Sequence, residues 1–229
     1  MAQGATRRNR AALAAMLFFV LAVGARAEDA NTDVAADMWA YLDLSEQTRL
    51  FFLASLTDHQ TQSMADGTVG VHVDIALKPL LRRRLRVADW ARKKYLWVRI
   101  GYRHGFHTTA RETGVLQVTS NFELPLGVVL ENRARVDLRN ETGGFSARPR
   151  YRLDLEREVP VGRLTATPYV RAEVLYDSRP GAWSMRYQAG VELALTRHWR
   201  IEPYYQRREN QHAGAADVNR IGFIVKTFW

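Results

Sequence analysis

From Val128 to Tyr176 the chain alternates apolar and charged side chains with a period of two, three times over. In the first run Val128, Leu130, Ala134, Val136 and Leu138 oppose Glu131, Arg133, Arg135, Asp137 and Arg139. In the second Phe145, Ala147, Pro149, Tyr151, Leu153 and Leu155 oppose Ser146, Arg148, Arg150, Arg152, Asp154, Glu156 and Glu158. In the third Leu164, Ala166, Pro168, Val170, Ala172, Val174 and Tyr176 oppose Thr165, Thr167, Tyr169, Arg171 and Glu173. Successive side chains of a strand point to opposite faces, so each run predicts a strand with one apolar and one ionic face. Runs this long exceed the usual globular strand of about 5 to 6 residues. They suit a barrel wall with hydrocarbon outside and water inside.

The same alternation recurs at Thr68–Leu77, Tyr95–His104, Val115–Leu124, Trp183–Leu195, Trp199–Gln206 and Ile221–Trp229. Arg49–Leu56 is apolar on both parities, which leaves its facing open. Met38–Leu44 is a short candidate after a polar leader, Asp29–Asp37. Connections near Pro125, Pro160 and Arg197 read as tight turns. Those near Thr109, Thr142, Arg179 and Ala213 read as longer loops, matching the short periplasmic turns and longer outer loops of outer-membrane barrels. The count is eleven, whereas bacterial single-chain barrels have even numbers. The expectation is therefore ten strands, or twelve if one is missed. Edges left open by a soluble sandwich would invite aggregation, and lipid demands closure. The predicted fold is all-β, an antiparallel transmembrane β-barrel of 10–12 strands.

The N-terminus changes the compartment. Arg7, Arg8 and Arg10 precede an apolar Ala11–Val23, and Ala25-Arg26-Ala27 is a small-x-small cleavage site. That segment is too short for a spanning helix and reads as a secretory signal. The organisation expected is 1–27 signal peptide and 28–229 barrel domain. Loss of its four Arg lowers the formal charge from +9 to +5. There is no cysteine, so neither disulfides nor a lipidated N-terminal cysteine is available. The final strand ends on Trp229 with apolar residues at every second position. Such an end resembles the C-terminal strand read by the barrel assembly machinery, which would put Trp229 on the periplasmic side.

The inward parity carries the candidate chemistry. Arg133, Arg135, Arg148, Arg150, Arg152, Arg171, Arg186 and Arg200 share it with Glu173, Glu192 and Glu202, and with Tyr169 and Tyr204. Two outcomes follow: a lumen filled by a satisfied ionic network, since unpaired buried charge is costly, or an Arg-lined path for anions. Trp183, Trp199, Tyr205 and Trp229 on the outward parity suit interfacial aromatic girdles. The basic stretch Leu80–Lys94, with Arg82, Arg83, Arg84, Arg86, Arg92, Lys93 and Lys94, reads as a solvated loop or headgroup contact rather than a nucleic-acid patch. His104 and His107 fall on opposite faces, and no third ligand gives a metal site. Ser120 and Ser184 lack a matching histidine, so no catalytic residue is assigned and an enzyme is the weaker reading.

Several short motifs together resemble one family. They are Trp39, Gly101-Tyr102-Arg103, Asn132-Arg133-Ala134-Arg135, Arg148-Pro149-Arg150-Tyr151-Arg152, Pro168-Tyr169 with Glu173 and Tyr176, and Glu202-Pro203-Tyr204-Tyr205. They are similar to the strand signatures of the domain of unknown function 2490 barrels, over nearly all of the mature chain. The basic Leu80–Lys94 insertion departs from that pattern. The resemblance implies a bacterial outer-membrane barrel with no assigned activity, so no catalytic residue carries over.

The function expected is an outer-membrane barrel with an Arg/Glu-lined lumen, structural or a narrow solute or anion pore. The alternative is a barrel that modifies outer-membrane lipid as a lipase or deacylase. No cofactor is expected. The partners expected are outer-membrane lipid, lipopolysaccharide and the assembly machinery, with the chain a monomer.

Overall fold

The computed structural model describes residues 31–59, 65–79, 90–106, 111–141, 144–162, 164–179, 181–211 and 216–229. The expected signal segment lies outside them. The strands are β1 (Asn31–Asp43), β2 (Thr48–His59), β3 (Asp66–Pro79), β4 (Lys94–Phe106), β5 (Arg111–Leu124), β6 (Val128–Glu141), β7 (Gly144–Arg157), β8 (Val159–Val161), β9 (Leu164–Asp177), β10 (Ala182–Ala194), β11 (Trp199–Asn210) and β12 (Val218–Phe228). Each is hydrogen-bonded to its sequence neighbour in one continuous antiparallel sheet, except that β7 passes on to β9. β8 is a continuation of β7: Glu156 pairs with Tyr169 and Val159 with Ala166, the same register along β9. The wall therefore has eleven full staves.

Closure comes from β1 against β12, which run parallel from Asn31↔Val218 to Tyr41↔Phe228. An odd number of staves requires this. The even count expected from the sequence assumed an antiparallel seam, and the barrel has a parallel one. The polar leader expected before Met38 is instead the first half of β1. Asp33 and Ala35 point inward there at 5% and 2% exposure, and Val34 points outward at 52%. Asn31 and Trp229 consequently lie at opposite rims.

Alternation decides the two faces throughout. On β3, Val69, Val71, Ile75 and Leu77 are exposed outward, while His72 and Asp74 are buried inward. β2, ambiguous in sequence, turns Arg49, Phe51 and Leu53 inward and Phe52 and Leu56 outward. The outer wall is thus a band of exposed leucine, valine, isoleucine and phenylalanine. Exposed apolar area on this scale on a folded surface calls for a covering.

The connections do not sort into short and long sides. At the Asn31 rim the link between β6 and β7 is residues 142–143 alone. At the Trp229 rim β5 passes to β6 through a single tight turn, Pro125–Gly127, with Leu126 and Gly127 both at positive φ. The long connection is 80–93, also at the Trp229 rim. Its first ten residues lie outside the described part. Trp90 and Arg92 turn inward while Lys93 stays exposed: Trp90 is 7% exposed and packs edge-on against Trp97 of β4, ring centroids 6.1 Å apart. At Trp90 and Arg92 this basic stretch is therefore neither solvated loop nor headgroup contact. It enters the barrel.

Candidate functional site

Inside the wall, one wing is aromatic and ionic together. Asp74 of β3, fully buried, accepts from Arg49 Nε and Nη2 at 3.0 and 2.7 Å, and from Arg99 Nε and Nη2 at 2.6 and 2.9 Å. Two forked guanidiniums on one carboxylate satisfy both oxygens, which is what makes a buried charge tolerable. Arg49 lies over the Tyr41 ring at 4.2 Å and Arg99 over Phe51 at 4.1 Å. Phe51 itself stacks between Tyr41 and His72, at 4.8 and 5.0 Å. The inward-facing rings of β1 to β4 and β12 thus support the cations from below.

The opposite wing is a chain of carboxylates and cations. Tyr169 donates to Glu202 Oε1 at 2.5 Å and accepts from Gln188 Nε2 at 2.8 Å. Lys226 Nζ bridges Glu202 Oε2 at 2.5 Å and Glu192 Oε2 at 2.6 Å. Glu192 also accepts from Arg200 at 3.1 Å. Arg171 pairs with Asp154 at 3.1 Å and lies over the Tyr169 ring at 4.1 Å. Into this wing reaches Arg92 from the inward turn. It donates to Glu156 through Nε and Nη2, and to Glu192 through Nη1 at 2.8 Å. Asn121 fixes the turn by donating to the carbonyls of Ala91 and Lys94, both at 2.8 Å.

Three cation pairs that face each other directly across neighbouring strands are each bridged by a carboxylate. Arg133 and Arg152 share Glu131 at 2.6 and 3.3 Å. Arg135 and Arg150 share Asp137 at 2.5 and 3.1 Å. Arg200 and Lys226 share Glu192. Arg150 and Arg186 also meet on Glu173, at 2.7 and 3.0 Å. Arg148 and Arg139 meet on Asp177. Between the two wings lies a cavity of about 90 Å³. That admits a few waters but is well below the roughly 300 Å³ at which small-molecule sites begin.

Of the aromatics, Trp183, Trp199 and Trp229 are exposed outward at strand ends, Trp183 against Tyr176 at one rim and Trp229 stacked on His198 at the other. Tyr205 is placed differently. It sits midway along β11, 6% exposed, donating to Asn219 Oδ1 at 2.6 Å. It borders an apolar depression in the outer wall of about 550 Å³, floored by Ala172 and Ala189 and walled by Leu153, Val170 and Tyr187. Tyr204 points inward and packs with Tyr169, Ala35 and Ile224.

Ser184 donates to Asn210 and accepts from Arg208, so its hydroxyl is engaged by an amide and a guanidinium. His104 contacts the Phe106 ring, and His107 lies outside the described residues. Sequence reasoning did not single out Arg49, Asp74, Arg92, Arg99 or Lys226 as site residues. Asp74 is an acid in the middle of the inward parity of β3, and Trp90 the one tryptophan within the basic run. Those were the available signals.

The family model described as "Protein of unknown function (DUF2490)" matches residues 85–219. No curated protein matches the chain. Among solved structures, the beta domain of the Bordetella autotransporter BrkA superposes with a TM-score of 0.51 at 15% identity, over 78% of this chain and 82% of that one. The siderophore receptor PirA from Pseudomonas aeruginosa gives a TM-score of 0.31 at 14% identity, over 75% of this chain and 34% of the receptor. The first likeness is one of fold.

Proposed function

Because the chain belongs to the DUF2490 family, which brings no activity to transfer, we propose a role from its own geometry. It is a bacterial outer-membrane barrel with a lumen filled by an Arg/Glu network, closed to solutes in the form seen. The observation that carries this is Arg92, held on Glu156 and Glu192 across the interior beside a cavity of about 90 Å³. The apolar outer band and the exposed Trp183, Trp199 and Trp229 at the two rims support the membrane placement. In this reading Trp229 faces the periplasm and β12 engages the assembly machinery. Lipopolysaccharide surrounds the opposite rim. A closed wall has no free edge, which favours a monomer. The signal is cleaved after Ala27.

The test is a bilayer recording of the refolded chain. The expected result is no steady conductance. A persistent open-channel current from the unaltered chain would overturn the closed lumen, and solubility without detergent would overturn the membrane placement. A second reading, a narrow anion path, is favoured by the surplus of guanidinium over carboxylate inside the barrel.

A further inference from the structure

The fourth facing cation pair lacks what the other three have. Arg186 of β10 and Arg208 of β11 are direct partners in register, both on the inner face. Like charges so placed repel. The bridging carboxylates elsewhere come from neighbouring positions on the same or an adjacent strand. Here the positions two residues along are Ser184 and Gln188 on β10, and Gln206 and Asn210 on β11. Arg186 reaches Glu173, which Arg150 already holds. Among the described residues Arg208 donates only to the Ser184 hydroxyl, at 3.2 Å. Among the described residues no carboxylate lies within ion-pair distance of Arg208. Arg148, Arg150 and Arg220 lie within electrostatic reach of it and add to the repulsion, which Asp177 offsets only in part; Arg148 is itself held on Asp177 and Arg220 on Asp33. The Nε atoms of Arg186, Arg208 and Arg220 are buried and without a hydrogen-bond acceptor.

We propose that Arg186 and Arg208, flanked by Arg148 and Arg220, form a binding site for a phosphate-class oxyanion that takes the place of the missing carboxylate. A tetrahedral oxyanion offers the acceptor geometry that forked guanidiniums match in pairs. The site lies towards the Asn31 rim, away from the Arg92 turn, and Arg186 and Arg220 keep 21% and 26% of their side chains exposed. A ligand can therefore enter without passing the closed half of the lumen. The orientation of this rim towards the outside rests on the membrane reading above. The existence of the site does not.

The experiment is thermal unfolding of the full barrel in detergent, titrated with inorganic pyrophosphate and, in a separate arm, with lipid A in mixed micelles. Pyrophosphate is expected to raise the midpoint saturably. Response to pyrophosphate identifies a soluble phosphate ligand, and response to lipid A alone identifies a headgroup. Arg208→Gln removes no ion pair and should fold. It should start at a higher midpoint than the unaltered chain and bind at least about tenfold more weakly. Arg208→Glu supplies the carboxylate internally and should be more stable still, with no response. Arg207→Gln, on the outer face, should respond as the unaltered chain does. No saturable shift in either arm, or an undiminished shift in Arg208→Gln, would overturn the site. Because binding is read without any current, a conducting barrel that still binds pyrophosphate would sink the closed lumen alone.

Discussion

The ring of Tyr169 on β9 lies over Gly190 on β10, its partner in register. A Cβ at residue 190 would stand 2.6 Å from the Tyr169 hydroxyl and 2.7 Å from the Pro203 carbonyl. The missing side chain is what lets the tyrosine lie along the wall and reach Glu202. His72 uses Gly101 in the same way: a Cβ there would come within 2.1 Å of the imidazole. Gly190→Ala is therefore expected to destabilise by about 1 to 3 kcal/mol, as overpacking does. Gly114→Ala, where the nearest atom is 3.8 Å away, should stay within about 0.5 kcal/mol. Denaturant unfolding in lipid vesicles measures both. Equal effects would mean the glycines are not making room.

Asp74 holds two arginines with no exposure of its own. Asp74→Ala removes the carboxylate that both buried guanidiniums share beside aromatic rings. The expected loss is about 3 to 5 kcal/mol, the range for removing one partner of a buried pair. Asp217→Ala removes a partner of Arg207 that is 35% exposed and should cost no more than about 1 kcal/mol. The difference between the two unfolding free energies is the readout.

Arg92 ties the described end of the 80–93 connection, residues 90–93, to the far wall. Arg92→Ala removes bonds to Glu156 and Glu192 while leaving Glu192 on Arg200 and Lys226. The strands should persist, and the expected outcome is intermittent current in a bilayer where the unaltered chain is silent. Silence in both would show that the remaining network closes the lumen without this turn.

The outer face carries its own prediction. Val170 is exposed at the middle of β9, and Leu164 is exposed at its end. In lipid, Val170→Arg should cost about 2 to 4 kcal/mol and Leu164→Arg about 0 to 1. Refolding into vesicles distinguishes the two. Similar costs would contradict a bilayer centred on this band.

Much of the architecture was legible because alternation is a local signal. A run such as Val128–Leu138 states its own faces. Asn31–Asp37 does not: its side chains are small, and that half of β1 is defined by its two neighbours, β2 and β12, rather than by pattern. The runs themselves number eleven, but nothing local reveals that the seam is parallel, and an antiparallel seam demands an even number. The inward parity of Arg133, Arg150 and Glu173 could be read, but not their partners. Which carboxylate bridges which pair depends on register, and register depends on the turns. The entry of Arg92 into the interior depends on a tertiary contact with Asn121 that no periodicity encodes. Tyr205, an outward aromatic in sequence, lies flat against Asn219 at mid-wall because its hydroxyl finds a partner there.

The same-direction pairing of the first and last staves has a topological corollary. Fluorophores attached at residue 31 and at residue 229 would be quenched from opposite compartments of a sealed vesicle, whichever way the molecule inserts. Residues 31 and 229 are thus separated by the full thickness of whatever sheet of lipid the molecule occupies.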